Sequence, residues 1–240
     1  MEAAIEAGRV TVNGVRAGLG MRVRASDRVA VDEQPVRLRW EAQKPRLLIY
    51  HKPPGELVTA SDPRGRPTVF ERLPRLRGAH WIAVGRLDFN TGGLLLFTDS
   101  GDLADRLMHP RNRIEREYAV RLRGQLSPDQ LDRLARGVML YDGLARFDRV
   151  EVAGGTGSNR WYRVVLREGR NREIRRVFEK LGIAVSRLMR VRFGTLWLPS
   201  SLRRGQWREM HDQEVAALTA SIGEGSPAKP SRASGRKASE

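Results

Sequence analysis

The sequence predicts an α+β fold, and three observations support this prediction. Short continuous apolar runs at 47–50 and 94–97 are typical of buried strands. Apolar residues after Gly169 recur at the spacing of an amphipathic helix. Strand-like and helix-like segments alternate over most of the chain, so we expect both apolar runs to lie in one central sheet flanked by helices.

Composition limits the classes of function. The chain has 240 residues, enough for one or two domains with a full core. Its formal net charge of +16 favours a polyanionic partner, with nucleic acid as the first candidate. The absence of cysteine excludes disulfides, thiol nucleophiles and cysteine-ligated metals, and fits a reducing compartment.

The first 40 residues predict a small basic module. Segments 8–14 and 28–31 alternate like short strands, and Asn13-Gly14 predicts a tight turn. Residues 1–8 resemble the last turns of a helix that ends at a glycine. We therefore expect the module to be truncated at its amino terminus.

A polar connector at 41–45 leads to a main domain at 45–220. Segment 101–108 predicts a short helix, and Ser127, Pro128 and Gln130 supply the cap, first position and capping-box partner of another. From 221 to 240 the low-complexity composition predicts a disordered basic tail. No apolar run could span a bilayer and no signal peptide is evident, so we expect a soluble cytoplasmic protein.

Basic residues concentrate between Arg160 and Arg192, where eleven basic and three acidic residues give a net charge of +8. Asn171 is positioned to cap a helix. The apolar stripe of that helix forms its buried face, so the arginines of the helix lie outside that face. The strand-like segments 161–166 and 189–193 alternate so that arginines share a face. Together these elements predict one arginine-rich surface. The stripe consists of Ile174, Val177, Phe178 and Leu181.

The segment from Gly85 to Gly101 is the strongest candidate for chemistry. It places Asp88 two residues after Arg86 and before a glycine-bounded turn into an apolar strand. Taken alone, Asp followed by Asn-Thr-Gly-Gly is most often turn chemistry, because a short side chain that bonds its own backbone suits such a bend. Tyr118 alternates onto the face opposite nearby arginines, and alone it is typical of a core aromatic.

Other catalytic signatures are missing from the sequence. The four histidines lack metal-site spacing, and the Gly-rich segment 154–157 lacks a following Lys-Ser/Thr, so a hairpin loop is the better interpretation. Neither a GxSxG elbow nor a glycosidase-like carboxylate pair is present. One Asp among many arginines is what remains.

Four ordered motifs resemble the ribosomal pseudouridine synthases. They are Gly85–Thr98, His51–Gly55, Arg66–Phe70 and Gly169–Arg176. Segments 116–120 and 185–194 are more narrowly similar to the type B branch, which acts on large-subunit rRNA, and the amino-terminal module is similar to an S4 domain. The resemblance implies a pseudouridine synthase fold with a mixed, mostly antiparallel central sheet flanked by helices, and an S4-like module that lacks its first helix.

The resemblance also implies residue roles. Asp88 is the expected nucleophile, Arg175 the arginine that keeps it ionised and oriented, and Tyr118 the aromatic against the target base. Attack at ribose C1′, attack at uracil C6 and a glycal route all remain open. Arg86 is expected to fill the gap left by the flipped base or to grip phosphate. Residues expected to bind RNA are Lys52, Arg170, Arg172, Arg176, Arg190 and Arg192, with Arg9 and Arg16 as a second anchor in the S4-like module.

The implied reaction isomerises a specific uridine of 23S rRNA to pseudouridine, with no metal and no cofactor. We expect the protein to be a monomer that binds ribosomal RNA and does not bind a membrane. Two alternatives remain: a non-catalytic rRNA-binding or assembly factor, and a sister synthase acting on a different rRNA uridine. A carboxylate facing phosphates would repel them, which disfavours a pure binder.

Overall fold

The structure is a computed structural model that describes residues 2–21, 23, 26–36, 44–157 and 159–222. The chain divides into two compact units, Met1–Lys44 and Pro45–Glu240. Most of the expected connector and, from residue 223 onward, the expected basic tail lie outside the described residues.

The first unit contains a short helix and a four-stranded sheet. The turn between the first two strands has Asn13 at φ 52° and Gly14 at φ 82°, the conformation that an Asn-Gly hairpin turn requires. Arg9 is paired with Asp32 at 2.9 Å. The last strand was not expected from the sequence, and the S4-like identity of this unit stays a prediction. The elements are α1 (Glu2–Glu6), β1 (Val10–Val12), β2 (Val15–Arg16), β3 (Val29–Val31) and β4 (Gln34–Val36), in sheet order β2-β1-β3-β4.

The second unit contains the remaining elements. Its strands are β5 (Leu47–Lys52), β6 (Ile82–Ala83), β7 (Gly92–Thr98), β8 (Arg116–Arg123), β9 (Val138–Leu140), β10 (Gly143–Ala145), β11 (Arg149–Thr156), β12 (Asn159–Leu166), β13 (Val185–Phe193), β14 (Leu196–Trp197) and β15 (Trp207–Glu209). Its helices are α2 (Gly101–Met108), α3 (Pro128–Arg136), α4 (Glu173–Lys180) and α5 (Asp212–Ser221), with 3-10 turns at Val69–Arg72 and Pro110–Asn112.

The large sheet has the order β11-β12-β8-β13-β7-β5-β15, with β6 and β14 added beside it. Within this sheet, β13 and β7 run parallel, and the other pairings are antiparallel. The fold is therefore α+β with the mixed, mostly antiparallel central sheet that the sequence resemblance implied.

Both apolar runs form strands at the centre of one half of this sheet. Leu47, Ile49, Leu94 and Leu96 pack on one face against α2 and α5. The alternate residues of β5 and β7 pack on the other face against the loops that follow β5. Burial on both faces explains why these strands are continuously apolar instead of alternating.

The other half of the sheet is covered on one face by α3 and α4. Val120 and Leu122 of β8 pack there with Leu134 of α3 and with Val177 and Phe178 of α4. The expected apolar stripe of α4 is thus buried as predicted, and Gly182 at φ 75° follows the helix end.

Asn171 does not cap α4, and this corrects the sequence-based expectation. The residue before the helix is Arg172, which has φ 47° and makes no side-chain cap bond. The first-turn carboxylate of Glu173 instead accepts hydrogen bonds from the Arg170 backbone N–H at 3.2 Å and from its guanidinium at 3.1 Å. Hydrogen bonds from Arg170 to the Glu173 carboxylate therefore take the place of the expected Asn171 cap.

The arginines of β13 lie on opposite faces of the sheet, which corrects the expected single arginine surface. A register irregularity between Arg190 and Arg192 places Arg190 opposite Tyr118 and Arg192 opposite Glu117. Tyr118 and Glu117 are adjacent on β8, so they point to opposite faces. Arg192 therefore lies on the face away from α4, whereas Arg190 shares the face of Tyr118 with α4.

Gly93 is the point where the two halves of the sheet meet. It pairs with Arg190 of β13 and has φ 105°. A Cβ at this position would lie 2.2 Å from the Arg190 carbonyl oxygen and 2.6 Å from its amide nitrogen. Backbone atoms of a central strand cannot move away cheaply, so only glycine fits here.

We predict that Gly93→Ala lowers the free energy of unfolding by about 3 kcal/mol or more, because it adds backbone strain and a backbone clash. Urea unfolding measures this change. Gly101→Ala is the matched control, since a Cβ there meets no atom within 4 Å and φ is not positive. Equal stability of the two variants would contradict the argument.

Candidate active site

A cleft in the second unit has a volume of about 950 Å³. One wall is the loop 84–88, the floor includes Tyr118 and Leu188, and the opposite wall is the segment 166–174. The cleft therefore combines the start of β8, the end of β12, the start of α4 and the loop before β7, which are remote from one another in the sequence.

Asp88 lies on the loop that precedes β7 and is half-buried. Its carbonyl oxygen accepts a hydrogen bond from the Thr91 amide at 2.9 Å, which closes a turn. The next carbonyl, that of Phe89, accepts one from the Gly55 amide at 2.8 Å. The buried side chain of Leu87 anchors the loop to the core. Turn chemistry and a candidate catalytic carboxylate therefore coexist in one segment.

Lys52 is completely buried beneath this loop, which corrects the expectation that it contacts RNA. Its ammonium group donates to the carbonyl oxygens of Pro53 (3.0 Å), Asp88 (3.2 Å), Phe89 (3.5 Å) and Thr91 (2.9 Å). Burial lowers the pKa of Lys52 to about 8, while the charges of Glu56 and Asp88 oppose this shift. Lys52 thus holds the backbone that carries Asp88.

Arg175 of α4 reaches the same loop from the other half of the sheet. Its guanidinium donates to the Asn90 carbonyl at 2.9 Å and to the Val185 carbonyl at 3.1 Å. Burial and the nearby Arg172 lower the pKa of Arg175, and the charge of Asp88 raises it. Arg175 was expected to bond directly to the Asp88 carboxylate. It instead contacts the backbone carbonyls of Asn90 and Val185, and its charge interacts with that of Asp88.

Tyr118 is half-buried in the cleft, between two arginines that share its face of the sheet. Arg190 is fully buried and donates to the Leu94 carbonyl at 2.7 Å, which corrects its expected role as an RNA contact. Arg116 donates to the carbonyls of Ile114 and Arg167, both at 2.9 Å. Burial lowers the pKa of both guanidinium groups, and the neighbouring Tyr118 acts in the opposite direction. An aromatic ring is thereby fixed between buried cations.

Arginines of different exposure line the cleft. Arg86 and Arg172 lie at its walls and are solvent-exposed, so both are available to a polyanion. The pairing of distant strands adds arginines that sequence reasoning missed. Arg116 could have been found, since it lies two residues before Tyr118 on an alternating strand, but the others carry no sequence signal. The added residues are Arg113, Arg116, Arg146 and Arg167.

Arg170 and Arg176 are largely engaged within the protein. Arg170 pairs with Glu168 (2.8 Å) and Glu173 (3.1 Å) and donates to the Leu144 carbonyl at 2.9 Å. Arg176 donates to Asp142 at 2.8 Å and lies over the ring of Tyr141. Both arginines therefore hold the β9–β10 hairpin against α4, and their expected RNA contacts stay predictions.

The described residues contain neither a cluster of metal ligands nor a helix that could span a membrane. Within those ranges, no group of three or more His, Asp or Glu side chains could hold a metal ion. No helix found there is long and apolar enough to cross a membrane. Four carboxylates, one tyrosine and many cations line the cleft, and three of the carboxylates, Asp148, Glu168 and Glu173, are paired with arginines. A carboxylate such as Asp88 beside a tyrosine and cations is suited to nucleophilic attack on a polyanionic substrate.

Comparisons with known proteins agree with this chemistry. A family model described as RNA pseudouridylate synthase matches residues 46–180. The chain is 52% identical over 225 residues to a ribosomal large subunit pseudouridine synthase B of Pseudomonas aeruginosa, covering 93% of this chain and 58% of the relative. It is 55% identical over 213 residues to a protein of that name in Escherichia coli (strain K12), covering 88% of this chain and 73% of the relative.

A solved crystal structure of a pseudouridylate synthase has a similar fold. The TM-score is 0.67 at 25% sequence identity, and the match covers 90% of this chain and 91% of that chain. The chain spans a little over half the length of the Pseudomonas relative and about three quarters of the Escherichia relative.

We predict that Lys52→Met speeds amide hydrogen exchange at residues 89–92 about tenfold or more, because four carbonyls lose their donor. Exchange measured by mass spectrometry at pH 7 tests this, with Lys180→Met on the exposed face of α4 as the matched control. Unchanged exchange in this loop would show that Lys52 does not position it.

The buried amine also predicts a pH dependence of stability. Its pKa is about 8 when folded against an ordinary value of 10.5. Between these values the unfolded chain binds more protons, so stability rises with pH. We expect the difference in unfolding free energy between wild type and Lys52→Met to grow by up to about 3 kcal/mol from pH 7.5 to pH 10.5. Urea unfolding at both pH values measures it; parallel curves for both proteins would contradict the assignment.

Proposed function

Because the chain belongs to the RNA pseudouridylate synthase family, we propose that it converts a specific uridine of 23S rRNA to pseudouridine, with Asp88 as nucleophile. The reaction breaks the bond between ribose C1′ and uracil N1 and forms a bond between C1′ and C5. The C5 proton is lost and N1 gains a proton, so the change is an isomerisation.

One observation carries the proposal: a carboxylate on a fixed loop lies in the same arginine-lined cleft as Tyr118, and Arg175 holds that loop. A pure RNA-binding protein has no use for a carboxylate facing phosphates, because the two repel each other. This arrangement therefore favours catalysis over the alternative of an rRNA-binding or assembly factor.

Each residue of this group has a physical role in the proposal. The Asp88 carboxylate forms a covalent adduct with the target nucleotide, which divides one difficult glycosyl transfer into easier steps. Arg175 donates to the Asn90 carbonyl and so holds the loop that carries the carboxylate. Tyr118 offers a ring for the flipped uracil to stack on and a hydroxyl close to C5.

The exposed arginines of the cleft would hold the RNA by phosphate contacts. Arg86 is exposed and lies two residues before Asp88. It is therefore positioned either to fill the space that the flipped nucleotide leaves or to contact the adjacent phosphate. The S4-like unit would add a second anchor through Arg16. We place the enzyme in the cytoplasm with its rRNA substrate, as a monomer that requires no metal or cofactor.

The similarity to two relatives named for the large subunit favours 23S rRNA over small-subunit rRNA as the substrate. A sister synthase for another rRNA uridine is the second candidate function. A map of pseudouridine across all rRNA separates these two candidates.

We predict that Asp88→Asn abolishes the reaction, because an amide cannot act as the nucleophile, while the fold is retained since Asp88 is not a core residue. Pseudouridine is mapped in rRNA from cells that lack this protein and carry either the wild type or the variant. One large-subunit site should lose its modification and regain it with the wild type alone.

Asp129→Asn, at an exposed position in the first turn of α3, is the matched control and should restore full modification. Full modification by the Asp88→Asn protein would exclude Asp88 as nucleophile. Retention of every modified site in cells without the protein would favour the binding-factor alternative.

A further inference from the structure

One half of the large sheet has a face that α3 and α4 do not cover. These helices pack on the face of Val120 and Leu122. On the opposite face, the side chains of Arg149 and Arg163 are 51% and 49% exposed, and Trp197 is 51% exposed. We call this surface the rear face; it lies on the side of the sheet away from Tyr118.

The strand register brings many arginines together on the rear face. Arg121 of β8 lies opposite Trp161 of β12 and Arg187 of β13, and Arg163 of β12 lies opposite Glu151 of β11. Six arginines and two glutamates of these strands share this face, and Glu115 pairs with Arg192 beside them, which leaves a net charge of +3. The arginines are Arg121, Arg123, Arg149, Arg163, Arg187 and Arg192.

Glu117 organises the centre of the rear face. Its side chain is 1% exposed and accepts hydrogen bonds from Arg163 at 2.9 Å and from Arg192 at 3.1 Å, while Arg149 lies 3.6 Å away. Glu117 thus holds three guanidinium groups in place, with Glu115 at 3.0 Å from Arg192 and Glu151 at 3.5 Å from Arg149 as further partners. Such preordering reduces the entropy lost when the arginines bind a ligand.

Aromatic rings lie between these arginines. Arg163 and Arg192 lie over the ring of Trp197, with guanidinium carbons 5.8 and 5.5 Å from its centre, and Arg121 lies 5.9 Å from the centre of the Trp161 ring. A flat strand surface with alternating cations and aromatic rings is the arrangement by which sheet proteins bind single-stranded RNA. Bases stack on the rings while arginines contact phosphates.

We propose that the rear face is a second RNA-binding surface, which holds a single-stranded stretch of the rRNA away from the catalytic cleft. The identity of this RNA as the enzyme's own rRNA rests on the proposed function. The one-sided positive charge favours a polyanion over a protein partner. The catalytic cleft and the rear face would then bind separate parts of one large RNA.

The test compares two double variants with equal changes in charge. Arg123→Glu with Arg187→Glu alters exposed positions of the rear face, and Arg133→Glu with Lys180→Glu alters exposed positions of α3 and α4. Filter binding measures the affinity of each full-length protein for a transcript of large-subunit rRNA at several salt concentrations.

We expect the rear-face variant to weaken binding about tenfold at 0.1 M salt and to reduce the slope of log affinity against log salt by about one or more. The α3–α4 control should weaken binding less than about threefold. Trp197→Ala should weaken binding about tenfold with an unchanged slope, because it removes stacking and not a phosphate contact. Thermal unfolding confirms that each protein is folded.

Equal affinities and equal salt slopes for the rear-face variant and its control would overturn the proposal. The same result would overturn it if Trp197 proves to mediate contact between two copies of the chain. Binding does not require Asp88, so the two proposals fail separately. If the rear-face variant loses affinity but cells without the protein keep every pseudouridine, the rear-face proposal is upheld and the proposed reaction is rejected. If those cells lack a pseudouridine but the variant binds RNA with unchanged affinity, the reaction is upheld and the rear-face proposal is rejected.

Discussion

The close backbone approach of Gly93 to Arg190 is the constraint on which the rest of the catalytic unit depends. The two halves of the sheet meet there through the parallel pairing of β7 and β13. The loop that carries Asp88 precedes Gly92, while Tyr118 pairs with Arg190 from the other half. A side chain at Gly93 would separate the halves, and with them the carboxylate from the tyrosine.

Buried cations keep this junction in place. Lys52 donates to carbonyls of the Asp88 loop, Arg190 donates to the Leu94 carbonyl, and Arg175 donates to the Asn90 carbonyl. Each of these side chains gives up part of its hydration, which is costly unless hydrogen bonds replace it. These positive charges fix the backbone around the carboxylate, while Arg86 and Arg172 of the cleft stay exposed.

The excess positive charge is divided between two surfaces. Arginines of the cleft surround Asp88, while those of the rear face surround the buried Glu117. The irregularity in β13 produces this division, because it sends Arg190 and Arg192 to opposite faces. An enzyme that binds a large folded RNA gains from two separated contacts, since they restrict how the RNA is oriented at the nucleophile.

The sequence by itself determined the class of fold, the buried strands 47–50 and 94–97, the apolar stripe of α4 and the candidate nucleophile. These features depend on local periodicity, turn residues and motifs. Only the tertiary structure decided which cations are buried, which pair with carboxylates and which line the cleft: it buried Lys52 and Arg190, engaged Arg170 with carboxylates and brought Arg146 and Arg167 into the cleft. Burial of a cation depends on strand register and on partners remote in sequence, and a one-residue irregularity reverses the face of every residue beyond it.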